Sequence, residues 1–223
     1  MSKESGTTQS WLEGGPVSRV YDRTVKKPRL FGLLARVMWS ADTARLLYAD
    51  MTLPPSLPGQ AVLDVACGGG LALRGLSTDF DFRYVALDIS EPMLELARRE
   101  GTARGLSGIE YVQAPASAIP FDDATFDLCT CYHGLHCFTD PPSCVAEIAR
   151  VLKPGGEFRG TVVVTGHHRL SEWHISMMQR RGQFVHVGSV EELRALFVRS
   201  GFADPEIERT GAYAHFRARR AVA

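Results

Sequence analysis

The stretch AVLDVACGGG, residues 61–70, decides the fold. Ala61 to Val65 is a short apolar run interrupted only by Asp64, the pattern of a strand buried on both faces. Gly68, Gly69 and Gly70 follow at once, and glycines there permit a turn that needs unusual backbone dihedrals or close approach to another group. A strand delivered into a glycine turn is what an open parallel sheet uses to hold a ligand at its carboxyl edge.

Working outward, the same alternation continues. LALRGL (71–76) reads as a helix, and FRYVALDI (82–89) as a second strand. EPMLELARREGTARG (91–105) is a helix, with Ser90 placed to cap it and Pro92 in its first turn. GIEYVQAP (108–115) and FDLCTCYH (126–133) are strands. SCVAEIARVLKPGG (143–156) is a helix that stops at Pro154-Gly155-Gly156, and EFRGTVVVT (157–165) is a fifth strand. SVEELRALFVRSG (189–201) opens with a capping box, Ser189 to Glu192, and PEIERT and AYAHFRAR read as two closing strands. Strand–helix alternation with short loops predicts parallel strands joined by right-handed crossovers, hence an α/β, doubly wound, mostly parallel seven-stranded sheet. Ahead of it, helices are expected over Pro28 to Ser40 and Ala41 to Met51. In the first, Leu30, Leu33, Leu34 and Val37 recur at helical spacing. Residues 166–188 fit neither period.

At 223 residues and 24.5 kDa the chain suits one domain with a substantial core. Lys plus Arg and Asp plus Glu are 25 each, so the totals lack the basic excess of a duplex nucleic-acid binder. No stretch of 18 apolar residues predicts a membrane span. Residues 1–15 have no apolar core of a signal peptide and read as a flexible tail. The five cysteines, Cys67, Cys129, Cys131, Cys137 and Cys144, are odd in number and lack C-x-x-C spacing. They read as reduced thiols of a cytoplasmic protein. The cluster Cys129, Cys131, Cys137 admits a metal or arsenical site, but a buried strand accepting small apolar residues is the commoner reading. His167, His168 and His174 have no zinc spacing, so no metal is expected. Lys26-Lys27-Pro28-Arg29 reads as a solvated charge cluster.

Two further features sharpen the ligand. Asp88 stands at the tip of the second strand, where a carboxylate accepts hydrogen bonds from ribose hydroxyls. Asp64, ahead of the glycines, repels a pyrophosphate and suits a cationic amino-acid ligand. With these on the page, VLDVACGGG, LDISEPMLELAR, IPFDDATFDL and EIARVLKPGG, in this order and spacing, resemble the class I S-adenosylmethionine-dependent methyltransferases, nearest to the ubiquinone/menaquinone-biosynthesis type (methyltransferase domain type 11). The resemblance covers about Ala61 to Thr165. It implies S-adenosylmethionine as cofactor and S-adenosylhomocysteine as product. It places the methionine part on Asp64 and the turn Ala66, Cys67, Gly68 and Gly70, the ribose on Asp88, Met93 or Ile89 beside the adenine, and the backbone of Ala116 with the Ser117 side chain at the adenine edge. Tyr132 is also expected at the cofactor, and Tyr21-Asp22 with the helix carrying Arg36 and Trp39 would fold over it. Two positions depart from the family: Ala66 replaces a glycine, and Pro115 replaces an acidic residue, removing one polar contact of order 1 kcal/mol.

The implied organisation is a helical cap over 16–58, a cofactor-binding core over 59–165, a substrate lid over 166–188, and a last helix with closing strands over 189–223. Methyl transfer needs alignment above all, which supplies up to about 7–11 kcal/mol in ideal cases. A base is needed only for an acceptor that loses a proton, and His133 and then His136, just past the fourth strand, are the candidates; packing at the strand end is the bland alternative for both. Trp173, Met177, Met178 and Phe184 either line an apolar acceptor pocket or are plain core. The expected partner is a small, lipophilic or natural-product-like acceptor, with no nucleic acid, since CYHG is not the motif that grips a flipped base. A homodimer stays open. The competing functions are a fold relative that binds the cofactor for cyclisation or decarboxylation, and a non-catalytic scaffold.

Overall fold

The computed structural model describes residues 22–39, 51–54, 57–185 and 188–222. Its strands are β1 (Ala61–Val65), β2 (Arg83–Asp88), β3 (Ile109–Gln113), β4 (Phe126–Tyr132), β5 (Leu152–Val163), β6 (Phe202–Thr210) and β7 (Tyr213–Arg220). Its helices are α1 (Pro28–Trp39), α2 (Glu91–Ala103), α3 (Pro141–Val151), α4 (Arg169–Arg180) and α5 (Val190–Arg199). One sheet carries all seven strands in the order β3-β2-β1-β4-β5-β7-β6. β3, β2, β1, β4 and β5 pair in parallel, and β7 runs antiparallel between β5 and β6.

All five residues of β1 are buried, because both faces of the sheet are covered. Leu63, Val65, Val85 and Leu87 point to one face and pack in a cluster with Val145, Ile148, Leu193 and Phe197 of α3 and α5. Val62, Tyr84 and Ala86 point to the other, with Leu94 and Ala97 of α2. The chain moves outward from β1 to β2 and β3, then returns to β4 on the opposite side of β1. The switch in strand order therefore lies between β1 and β4, and the glycine turn opens there.

Several boundaries differ from the sequence reading. LALRGL is not an α-helix: only a 3-10 turn, Ala72–Gly75, forms. Segment 51–53 lies against it, with the Leu53 N–H donating to the Gly75 carbonyl at 3.2 Å, and a Cβ on Gly75 would stand 2.1 Å from the Met51 oxygen. α3 begins earlier, at Pro141, because the Asp140 side chain accepts from the Ser143 N–H. It ends at Val151, and the Lys-Pro-Gly-Gly run belongs to β5, consistent with the aversion of a residue before proline to α geometry. Ser90 sits at the N-cap of α2, but its side chain makes no capping hydrogen bond. The Ser189–Glu192 capping box is present.

Segment 166–188 holds α4. Its cap is a histidine: His168 Nδ1 accepts from the Ser171 N–H at 3.1 Å. Its buried residues, Ser171, His174 and Ile175, are too polar for an apolar period to register. In α1 the spacing Leu30, Leu33, Leu34, Val37 marks a helix, yet those side chains are exposed and Phe31, Ala35 and Trp39 are buried. The expected tail 1–15, Tyr21 and nearly all of the expected helix Ala41 to Met51 lie outside the described residues. Among the described residues no helix is long and apolar enough to cross a membrane.

Candidate functional site

A cleft opens at the carboxyl ends of β1, β2 and β4, enclosing about 1060 Å³ of empty space with its open mouth included. Three strand ends and the residues after them build it. After β1 the turn puts Ala66, Gly68 and Gly70 at φ of 55°, 54° and 82°. At the end of β2 stands Asp88, buried, whose Oδ2 accepts from the Gly68 N–H at 2.8 Å and Oδ1 from the Ser90 N–H at 2.9 Å. Burial pushes the Asp88 pKa up, and these backbone N–H groups oppose it. The Ile89 backbone N–H acts on the same carboxylate, whose two oxygens can each accept more than one hydrogen bond. Tyr132 at the end of β4 is followed by His133 and Gly134.

Of the residues expected at the site, Ala66, Cys67, Gly68, Asp88, Ile89, Met93, Ala116, Ser117, Tyr132 and His133 line this one cleft. Asp64, Gly70 and His136 stand outside its lining, as do Arg36 and Trp39, which were expected to fold over the cofactor. Asp64 is buried in β1, accepting from the Thr130 hydroxyl at 2.9 Å, and burial raises its pKa to about 7. Gly70 is a packing position, since a Cβ there would lie 2.8 Å from Leu73 Cδ1 and 3.1 Å from the Ala97 Cα. His136 is buried and turned to the core: its Nδ1 accepts from the Val163 N–H at 3.4 Å, and its ring meets Phe184 at 4.3 Å. Burial holds its pKa at about 3, so it stays neutral and is a weak base.

His133 is the histidine that faces the cleft among the described residues. Its backbone is left-handed, φ 61°, and its N–H donates to the Thr161 carbonyl at 3.0 Å. Phe31 and Tyr213 meet its ring edge-on at 5.6 and 5.1 Å. Burial drives its pKa well down. The residues left open between acceptor lining and plain core lie elsewhere. Trp173 is exposed, and Phe184 packs on Trp39. Neither these nor Met177 and Met178 line the cleft. His168 caps α4 and His174 meets Trp39 edge-on at 4.4 Å. Cys129 and Cys131 are buried in β4, whereas Cys67, Cys137 and Cys144 line the cleft, and burial raises the pKa of all five thiols.

Sequence reasoning placed Asp22 over the cofactor but missed how the segment ahead of α1 is held there. Asp22 and Val25 line the cleft. Lys26, expected in solvent, is largely buried: its Nζ donates to the Gly69 carbonyl at 2.7 Å and pairs with Asp22 at 3.0 Å and Glu100 at 3.2 Å. The approach is so close that a Cβ on Gly69 would stand 1.9 Å from Asp22 Oδ1. The i, i+4 opposite charges of Asp22 and Lys26 were the available signal. Lys27 and Arg29 are exposed, as read.

Residues 63–159 match a family described as "Methyltransferase domain". The chain is 34% identical over 156 residues to a demethylmenaquinone methyltransferase of Clavibacter sepedonicus, covering 70% of this chain and 58% of that protein. It is 36% identical over 139 residues to a ubiquinone/menaquinone biosynthesis C-methyltransferase of Idiomarina loihiensis, covering 57% and 54%. The chain thus spans little more than half the length of these relatives. The fold is similar to that of a Haemonchus contortus phosphoethanolamine N-methyltransferase, with a TM-score of 0.68 at 18% identity over 90% of this chain and 59% of the other.

Proposed function

We propose, from the premise that this chain belongs through its domain at residues 63–159 to the class I S-adenosylmethionine-dependent methyltransferases, that it transfers the cofactor's methyl group to a small lipophilic acceptor. The observation that carries this reading is the Asp88 carboxylate, buried at the switch point beside a glycine turn whose backbone faces the cleft. The cleft suits the cofactor's three parts. Asp88 offers acceptor directions to ribose hydroxyls. Ile89, Met93 and Ala116 supply apolar walls for a flat base, with the Ser117 hydroxyl and backbone at its edge. Pro115 lies in the same wall and brings no polar group to it. A Cβ on Gly68 would meet only Met93 Cε, at 3.5 Å, so the turn leaves the ligand room. Asp22, and not Asp64, presents the second carboxylate, and it suits a cationic amino-acid end.

When bound, S-adenosylmethionine supplies a methyl group on a good leaving group. The protein's own work is then alignment and exclusion of water. Val25, Leu71, Tyr132 and Phe138 make the rest of the cleft apolar, which favours a lipophilic acceptor, and the similarity to quinone methyltransferases supports the same class. His133, neutral at pH 7, is the histidine that faces the cleft and so is placed by position to take a proton from an acceptor that must lose one, although burial weakens it as a base as it does His136.

Calorimetric titration with S-adenosylmethionine and S-adenosylhomocysteine tests the assignment. Two charge-assisted hydrogen bonds to ribose correspond to about 3 kcal/mol or more, so Asp88→Ala should weaken both ligands about 100-fold. Unaltered affinity in folded Asp88→Ala protein would sink the ribose assignment. Accumulation of S-adenosylhomocysteine in step with acceptor consumption separates methyl transfer from a cyclisation or decarboxylation.

A further inference from the structure

α1 is apolar on both sides. Phe31, Ala35 and Trp39 are 7%, 1% and 7% exposed, whereas Leu30, Leu33, Leu34 and Val37 are 42%, 60%, 36% and 61% exposed. The exposed four fall at i, i+3, i+4 and i+7, one continuous stripe. α4 packs on α1, with the His174 ring on Trp39, and adds Leu170 and Trp173, 53% and 61% exposed and one turn apart. Six large apolar side chains on two adjoining helices are more than the scattered exposure of an ordinary surface, and they call for an occupant.

Charge says which. Lys27, Arg29 and Arg36 are exposed on α1 and the turn before it, and Arg169, Arg180 and Arg181 at the two ends of α4. Residues 23–39 contain no Asp or Glu, and Glu172 is the acidic residue of α4. In a chain whose basic and acidic residues balance at 25 each, this is a local positive excess laid around an apolar stripe. A second copy meeting the same face about a two-fold axis would set like charges against each other. An anionic lipid surface accepts both halves of the pattern: leucines and a tryptophan enter the acyl boundary, and arginines and lysines meet phosphates.

We propose that the outer face of α1 and α4 docks on an anionic lipid surface. The inner side of the same wall borders the cleft, since Phe31 touches His133 of the lining and the helical segment 22–25 contributes Asp22 and Val25 to it. A lipid-dissolved acceptor would then meet the cleft along this wall, a consequence that rests on the lipophilic-acceptor reading, whereas the docking itself does not.

Flotation of the full chain with phosphatidylcholine vesicles, with and without phosphatidylglycerol, tests it. Binding is expected to the anionic vesicles, weakened by added salt, and at least ~10-fold weaker for the double variant Leu33→Asp, Val37→Asp. Both side chains are exposed, so thermal unfolding of the variant should match the parent. A blue shift of tryptophan emission on binding should shrink in Trp173→Phe. Failure of the parent to float with anionic vesicles, or equal flotation of the double variant, overturns the proposal. So does a dimer in sedimentation that the same double variant dissociates. The assay uses neither cofactor nor acceptor, so failure of the methyltransferase reading would leave its outcome untouched.

Discussion

At the scale of single residues, Ala66 is informative because a side chain occupies a glycine conformation. Its φ of 55° lies in the left-handed region, which costs an L-residue roughly 1–2 kcal/mol. Ala66→Gly relieves that strain and gives back about 0.4–1 kcal/mol in unfolded-chain entropy. The variant should therefore gain up to about 1 kcal/mol in urea unfolding, and a loss of stability would show that the Ala66 methyl is needed for packing in the cleft. The departure was visible in the sequence, but its backbone cost was not, since a residue letter carries no dihedral. Asp88 and the glycine turn were legible because motif spacing encodes them. For His136 the sequence left a base and a packing role open, because proximity in sequence to His133 does not say which way a ring turns after a 3-10 bend. Asp22 was expected over the cofactor, but how it is held there was not, because its place depends on where a distant segment lies.

At the scale of elements, strands with apolar runs and helices with orthodox caps were readable, β1 and α5 most clearly. α4 was not, because a histidine caps it and its buried face is polar. The segment ahead of α1 is held to the sheet by Lys26, which joins the Gly69 carbonyl, Asp22 and Glu100. Lys26→Met would leave the mostly buried Asp22 carboxylate without that cation. A cost of about 1–3 kcal/mol is expected, discounted for the solvent that still reaches the pair. Limited proteolysis should then cut within 22–39 well before the sheet core opens. Cleavage kinetics equal to those of the parent would mean that apolar packing of Phe31 and Trp39 alone holds the segment.

At the scale of the whole molecule, stability against pH sums opposing buried groups. His136 has a folded pKa of about 3, below its ordinary value, so its contribution is intact above about pH 6.5 and is lost as pH falls. Asp64 has a folded pKa of about 7, above its ordinary value, so its contribution is intact at about pH 4 and is lost as pH rises towards 7. The two slopes partly cancel. Urea unfolding across this window should show a steeper loss towards acid in Asp64→Asn and a shallower one in His136→Gln. Parallel profiles for parent and variants would contradict both assignments. The sequence by itself determined the doubly wound sheet, the glycine turn and Asp88, because apolar periodicity and turn chemistry are local and repeat along the chain. Only the tertiary structure decided that Asp64 is a core carboxylate, that Lys26 is a clasp and that the apolar stripe of α1 faces outward. Those outcomes depend on which distant segments meet, and contact between elements far apart in the chain leaves no period for a sequence to carry.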